Sequence, residues 1–457
     1  MLKDKIFGSP RMFGIETEFF VIDEEGKVVN KASSVIDKLR NRLTDSNITE
    51  ECGQAMIEMI TFPHTSASAS FGTFFADFET LLGELEDEEL GLYYYGTYPG
   101  KNKGTIREDT RYRIKEKILG KEQFSIAHKC IGFHFHASLP NRSFNNAIKF
   151  FFPDINNDIK SRVLDLFNFS VAIDPAVSAL MQSSPYFESK LMGKDSRIML
   201  YRGDPMFRNK GLYSKHPMFG TLNVYAEEFK DIEESIKERT KRWSSLLKAQ
   251  GSKMSDFAKK NTDPSILDSS WKPVKISSHG TIESRSSDMN SFSRIVGLSA
   301  GLKYVSKYIQ KSSFKVCHDE IGNTDPFKLE DGILYVPTFS RIKQLEQASA
   351  LLGFEDKNVN SYAKSFVDFL GEIMPSDKRM MLNVFNNSID EKKTASDELI
   401  GFVKKRQGDA SIIDEETSRD FALRSYDRMF RDLVKIKKIC SHEEHDSLRF
   451  PKLEKFW

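Results

Sequence analysis

The sequence predicts an α+β protein, with a sheet-bearing core over residues 1–310 and a mostly helical portion over 311–457. Three observations carry this. Short stretches before residue 300 alternate apolar and polar side chains with the period of two that belongs to strands. Longer segments between them carry apolar residues three and four apart, the mark of amphipathic helices. Beyond about residue 295 the helical spacing takes over almost completely.

The first strand is "FGIETEFFVID" (13–23). Ile15, Thr17, Phe19 and Val21 fall on one face, and Glu16 and Glu18 on the other. Two adjacent carboxylates repel each other and are costly to bury. Either water solvates them along an edge strand, or a cation compensates them. "SVIDKLRNRL" (34–43) has helical spacing. "TEECGQAMIEMITFP" (49–63) holds Glu51 and Glu58. Seven residues apart, they would oppose each other on one continuous strand, and a bend at Cys52–Gln54 brings both to one side.

A long helix is predicted over 70–92, apolar at Phe71, Phe74, Phe75, Phe78, Leu81, Leu82 and Leu85. "TRYRIKEKILG" (110–120) is another, stopped by Gly120. In "HKCIGFHFHASLP" (128–140), His134, His136 and Ser138 share a strand face opposite Phe133, Phe135 and Ala137. Residues 159–185 are helical up to Ser184–Pro185. "SSHGTIESRSSD" (277–288) sets Glu283 and Arg285 on one face opposite Ile282; read alone, that is a local ion pair. Residues 311–340 are turn-rich and connect two parts. Helical stripes recur at 296–309, 342–353, 362–374, 396–406 and 419–439. "SHEEHD" (441–446) reads as a solvated charged loop.

Lysine and arginine (67) balance aspartate and glutamate (66), so no bulk charge points to nucleic acid. Cys52, Cys130, Cys317 and Cys440 are scattered without a CxxC pair, which argues against a structural zinc site or a disulfide scaffold. The N-terminus lacks the apolar run of a secretory signal, and no stretch approaches the roughly 18 apolar residues that span a bilayer. The expected setting is the cytoplasm, without a membrane partner. A GxxxxGK[ST] loop is absent, so a nucleotide would be held by metals and a sheet.

Taken together, Glu16, Glu18, Glu51, Glu58, Glu283 and one or both of His134 and His136 lie on polar strand faces. Such oxygen-rich, thiolate-free ligation suits Mg²⁺ or Mn²⁺. The ligands outnumber what one octahedral ion needs, which points to two or more ions bridged by a phosphate-bearing substrate. Arg285 then fits as a bidentate phosphate ligand, and the chemistry implied is phosphoryl transfer.

These residues carry a resemblance. "GIETEFFVID", "EECGQAMIEMIT", "GFHFHASLP", "ALMQSSPYFESKLMGKDSR" and "HGTIESRSSD", in that order, resemble the motifs of the glutamate–cysteine ligase superfamily. The chain looks closest to the bacterial and archaeal carboxylate-amine ligase branch, which is related to glutamine synthetase. The resemblance implies a single glutamine synthetase-like catalytic domain over 1–457. Its curved antiparallel sheet would form an active-site funnel, with helices packed on the other face.

It also implies a reaction: ATP phosphorylates the γ-carboxylate of glutamate, an amine attacks the acyl phosphate, and phosphate leaves. With cysteine as the amine, the product is γ-glutamylcysteine, a step of glutathione biosynthesis. Alternatives are another amine, or a metal-dependent phosphotransferase on the same fold. Carried over, Glu16, Glu18, Glu51, Glu58, His134 and Glu283 would be ligands of two or more Mg²⁺ ions, with Mn²⁺ as an alternative. Glu283 and Arg285 would be the catalytic pair, with Arg285 on the transferring phosphate. His136 would face the nucleotide, and Arg111 the substrate. Arg197 and Arg202 compete for the arginine that follows the Ser-Pro helix end. A homo-oligomer follows from analogy alone. The chain departs from the pattern at Ser284 and Ser286, where apolar residues are usual. It also lacks an Asp-Thr-Gly after the Ser-Pro, and it departs in the loop "LYYYGTYPGKNKGTI" (92–106).

Overall fold

The computed structural model describes residues 12–441 apart from 41, 44–45, 204, 258–266, 268–270 and 312–313. Strand β1 (Phe13–Asp23) runs through the middle of a seven-stranded antiparallel sheet. On one side it pairs with β3 (Met56–Thr61), which pairs in turn with β2 (Ser46–Glu50). On the other side it pairs with β5 (Phe133–Ser138). Beyond that lie β7 (Thr281–Ser284) and β6 (Val274–Ile276). Strand β4 (Leu90–Tyr93) pairs with the far end of β1.

The register puts chemistry opposite chemistry. Glu18 faces Glu58, Glu16 faces His134, and His136 faces Glu283. Because side chains alternate, all six project from one side of the sheet. The opposite side is apolar and packs on helices. Phe19 meets Phe78 of α2 (Ala67–Asp87) at 5.3 Å between ring centroids, and Phe13 meets Phe71 at 6.2 Å. Phe292, at the start of α7 (Phe292–Lys311), packs edge-on against Phe74, Phe75 and Phe78 at 6.0, 5.6 and 4.8 Å.

Between these helices, α4 (Asn157–Met181) is the core helix. Among the described residues it is the one helix long and apolar enough to cross a bilayer, which corrects the expectation that no stretch approaches that length. Its apolar window is 94% buried inside the protein, against α7, α8 (Phe339–Leu352) and α9 (Lys357–Ile373).

Three further differences have local causes. The helix predicted over 70–92 ends at Asp87. Glu89 turns with φ +55°, and Leu90–Tyr93 join the sheet as β4. The motifs do not single out α6 (Phe229–Ala249), although its signals are present: a Glu228/Asp231 capping box and apolar Phe229, Ile232, Ile236, Trp243 and Leu247 at helical spacing. The turn-rich 311–340 segment carries a three-stranded sheet of β8 (Lys315–Asp319), β9 (Leu329–Glu330) and β10 (Ile333–Pro337), so the C-terminal portion is not purely helical. All but the first residue of "SHEEHD" lies outside the described residues.

Phe292→Ala should expose the packing role of α7. Removing a ring that three phenylalanines surround is expected to cost about 3–5 kcal/mol and to lower the urea midpoint. Equilibrium unfolding followed by circular dichroism measures it.

Candidate active site

The polar side of the sheet floors a cavity of about 830 Å³. Its centre is an acidic and imidazole cluster. His134 Nδ1 is 2.8 Å from Glu16 and 3.8 Å from Glu283, while its Nε2 is 3.9 Å from Glu18. His136 Nε2 is 3.1 Å from Glu16 Oε1. Two triads, Glu16–His134–Glu283 and Glu18–Glu58–His134, each hold ligand atoms within 4.8 Å of one another. Glu51 sits in the turn after β2. The β2–β3 hairpin brings it to the same cavity as Glu58, as the predicted bend requires. One Glu51 oxygen accepts the Cys52 N–H at 3.1 Å.

Charge is unevenly compensated across the cluster. Burial raises the Glu283 carboxyl, but Arg285 and Lys275 outweigh that and hold it at about 2. Burial likewise raises Glu16, and His136 and His134 overcome it, keeping Glu16 well below the usual range. His134 is lowered by burial and by Arg285. Burial also lowers His136, but Glu16 and Glu283 reverse this and leave it raised. Glu18 goes the other way. Burial and the neighbouring Glu51 push it to about 8, against the pull of Arg197 and a 2.6 Å hydrogen bond from the Gly132 N–H.

Glu18 and Glu58, 7% and 4% exposed, oppose each other across the β1–β3 ladder, and if both ionise their charges meet there. Like charges directly opposite are destabilising. A divalent cation would remove the conflict. The donors are carboxylate oxygen and imidazole nitrogen, which suits Mg²⁺ or Mn²⁺. Cys52 and Cys130 also line the cavity, but burial raises both thiols well above their ordinary range. Burial thus disfavours the thiolate form that ligates metal.

The arginines divide by partner. Arg285 pairs directly with Glu283. Arg111 stacks its guanidinium 4.5 Å over the Tyr112 ring, facing the cavity beside Cys52. Arg197 and Arg202 both reach the cavity wall. Arg202 is bound to Asp174 at 3.2 Å and to Glu346, so its charge is already matched by carboxylates. Arg197 instead donates to backbone carbonyls of the segment that follows β7.

The motifs do not single out Lys115, Lys275 or Trp271, which also line the cavity. Lys115 follows Arg111 by four residues on helix α3 (Thr110–Leu119), so the helical period carried that signal. Lys275 pairs opposite Glu283 in the ladder, its Nζ 3.7 Å from the carboxylate. It stood out as the polar residue between Val274 and Ile276. Trp271 carries no pattern; it is placed by tertiary packing under the Lys115 ammonium, 3.5 Å away. His136 Nδ1 is 2.8 Å from Thr281 Oγ1, and that oxygen is 2.7 Å from Ser277 Oγ. This chain sets the orientation of the imidazole.

In chelator-treated protein, Glu18 gives a signed pH dependence. Between its ordinary 4.5 and about 8, the folded state keeps a proton that the unfolded chain releases. Its contribution to stability is therefore full at the acid end of this window and is lost as pH rises through about 8. Glu18→Gln is expected to flatten that part of the profile in thermal unfolding scans from pH 5 to 8.5 (roughly the span of the shift).

Residues 12–243, just over half of the chain, match the model of glutamate-cysteine ligase family 2. No curated protein matches the chain in sequence. Among solved structures, it is similar to a glutamate–cysteine ligase from Francisella tularensis in complex with AMP, with a TM-score of 0.53 and 14% identity over 96% of each chain. It is also similar to a bifunctional glutathione synthetase from Pasteurella multocida, with a TM-score of 0.51 and 14% identity, covering 94% of this chain and 53% of that one. At such identity these two likenesses speak to the fold. The family match goes further: the chain belongs to glutamate-cysteine ligase family 2 and is an ATP-dependent carboxylate–amine ligase, forming a carbon–nitrogen amide bond.

Proposed function

We propose that this enzyme joins glutamate to cysteine, giving γ-glutamylcysteine by way of a γ-glutamyl phosphate. The observation that carries the reading is the pairing, in register, of Glu18 with Glu58, Glu16 with His134 and His136 with Glu283, with Arg285 at the edge of this set. Two or more Mg²⁺ ions would be held by Glu16, Glu283, Glu18, Glu58 and His134, with Glu51 beside them. Bound there, divalent cations supply neutralisation of charge on the transferring phosphoryl oxygens.

The protein's own part is positioning. A γ-carboxylate oxygen of glutamate attacks the terminal phosphorus of ATP, and ADP leaves. The amine nitrogen then attacks the acyl carbon and phosphate departs. Arg285, anchored by Glu283, presents its guanidinium to the phosphoryl group in flight, as phosphoryl transfer requires. His136, fixed by Thr281, orients toward the nucleotide side of the cluster. Arg111 and Lys115, both cationic and set against Tyr112 and Trp271, suit the carboxylate of an amino acid better than a simple alkylamine. That favours cysteine or a close analogue as the acceptor. On this reading residues 1–457 act as one catalytic domain in the cytoplasm, with the C-terminal portion supplying Glu346 as a buried partner of the cavity-lining Arg202.

A second reading keeps the ligase and changes the amine. It is favoured by the departures from the family pattern in the 92–106 loop and after Pro185.

ADP release with MgATP and L-glutamate is the test, across L-cysteine, 2-aminobutyrate, other amino acids and small amines, with the product weighed by mass spectrometry. Cysteine-dependent ADP with γ-glutamylcysteine is the expected result. An amide with a different amine would replace cysteine, and ADP with a phosphorylated product and no amide would overturn the ligase reading. Separately, Glu58→Gln should weaken Mn²⁺ binding at least about tenfold, read by electron paramagnetic resonance titration without turnover.

A further inference from the structure

Strand β7 ends at Ser284, so Arg285 leaves the sheet at the position where its guanidinium is needed. Its backbone N–H still bonds Pro273 O at 2.9 Å, and two residues on Ser287 O accepts the Phe133 N–H at the start of β5 at 3.0 Å. One buried guanidinium reaches the carbonyls of residues 285, 286 and 287 together. Arg197 Nη1 donates to Ser286 O at 3.0 Å and Ser287 O at 3.1 Å, and Nη2 donates to Arg285 O at 3.2 Å. The approach depends on Gly132: a Cβ there would lie 2.2 Å from Arg197 Nη2.

Residue 286 is gripped a second time, through its side chain. Ser286 Oγ accepts from Arg202 Nη2 at 3.0 Å and donates to Asp174. Arg202 is itself paired with Asp174 on α4 and Glu346 on α8. At the far end, Asp288 accepts the Ser183 N–H at 2.9 Å. Ser286 stands where the family pattern has an apolar residue. The hydroxyl fits because it lies between a buried arginine, Arg202, and a buried carboxylate, Asp174.

We infer that Arg197 and Arg202 are positioning residues: they clamp the 285–287 segment from its carbonyl and hydroxyl sides, and so aim Arg285 at the acidic cluster. The inference rests on the ligase reading for its effect on rate, but not for the clamp itself. It also removes the competition between the two arginines for a ligand role, since each is engaged with the protein. Arg197 Nε is buried without a hydrogen-bond partner among the described residues. A direct substrate contact through it would show in KM.

Two variants test this. Ser286→Ala deletes only the hydroxyl; Arg197→Lys keeps the charge and loses the planar fork. Because sub-ångström misplacement of a catalytic group is costly, kcat is expected to fall about tenfold in Ser286→Ala and about 100-fold in Arg197→Lys. KM for glutamate and for MgATP should stay within about twofold of wild type, since a positioning residue touches neither. In hydrogen–deuterium exchange, the peptide covering 283–290 should take up label faster in both variants while the α2 and α7 peptides do not change. A KM raised tenfold or more for either substrate (roughly the loss of one charged contact), with exchange unaltered, would overturn the clamp and make Arg197 a ligand. If wild type turns over no glutamate–amine pair, the ligase reading fails on its own. Exchange then decides the clamp: faster uptake at 283–290 upholds it, and unchanged uptake in both variants rejects it.

Discussion

Strand β1 is held between two partners, and the functional part of this molecule depends on that register. Five backbone pairings to β3 and five to β5 fix where Glu16 and Glu18 lie along the strand. A slip of one residue would turn both carboxylates into the phenylalanine layer of α2 and α7 and turn Phe19 into the cavity. The apolar side prevents the slip. Phe13, Ile15, Phe19 and Val21 are buried, and their rings interlock with Phe71 and Phe78. The packing that stabilises the sheet is thus also what holds charges together that would otherwise separate.

Across the sheet, the cluster is half balanced and half in conflict. Around Glu283 and Glu16, the protein supplies its own cations, Arg285 and Lys275, and the raised imidazole of His136, with His134 bonded to Glu16. Around Glu18, it supplies a backbone N–H, the more distant Arg197 and Arg285, the His134 imidazole at 3.9 Å and a further carboxylate, Glu51. The first half is preorganised without help. The second half is poised for a cation, because neutralising it costs less than leaving the carboxylates face to face. On the proposed function, the two regions would serve a highly charged nucleotide together: fixed cations that stay, and an acidic pocket with the donors to take a metal.

Much of this was legible in the sequence because period two is so restrictive. Glu16/Glu18, His134/His136 and Glu283/Arg285 could be placed on shared faces before any strand was paired. The bend between Glu51 and Glu58 followed from an odd spacing. What the sequence could not show is which faces meet across strands, since pairing partners lie up to 150 or so positions apart; His136 and Thr281 are 145 apart. The roles of Arg197 and Arg202 were hidden for a related reason. One answers backbone carbonyls, which leave no residue pattern, and the other answers Glu346, which reads as one charge on an ordinary amphipathic helix. Lys115 and α6 were different: their periodic signals were present, and the acidic motifs simply outweighed them.

Helix α4 has a consequence for how the chain can be divided. It is apolar over nearly its whole circumference, and its cover comes from helices that follow it by more than a hundred residues: Tyr362 of α9 donates to Ala172 O at 2.6 Å, and α7 and α8 close the other sides. Every ligand candidate in the sheet lies before residue 290, so a fragment ending near 310 would contain the whole cluster. That fragment would keep α7 but leave the sides of α4 that α8 and α9 cover open to solvent, with Asp174 and Arg202 deprived of Glu346. The chemistry is encoded early and the means of keeping it in water arrive late, so a newly made chain must shelter α4 until its last third has been synthesised.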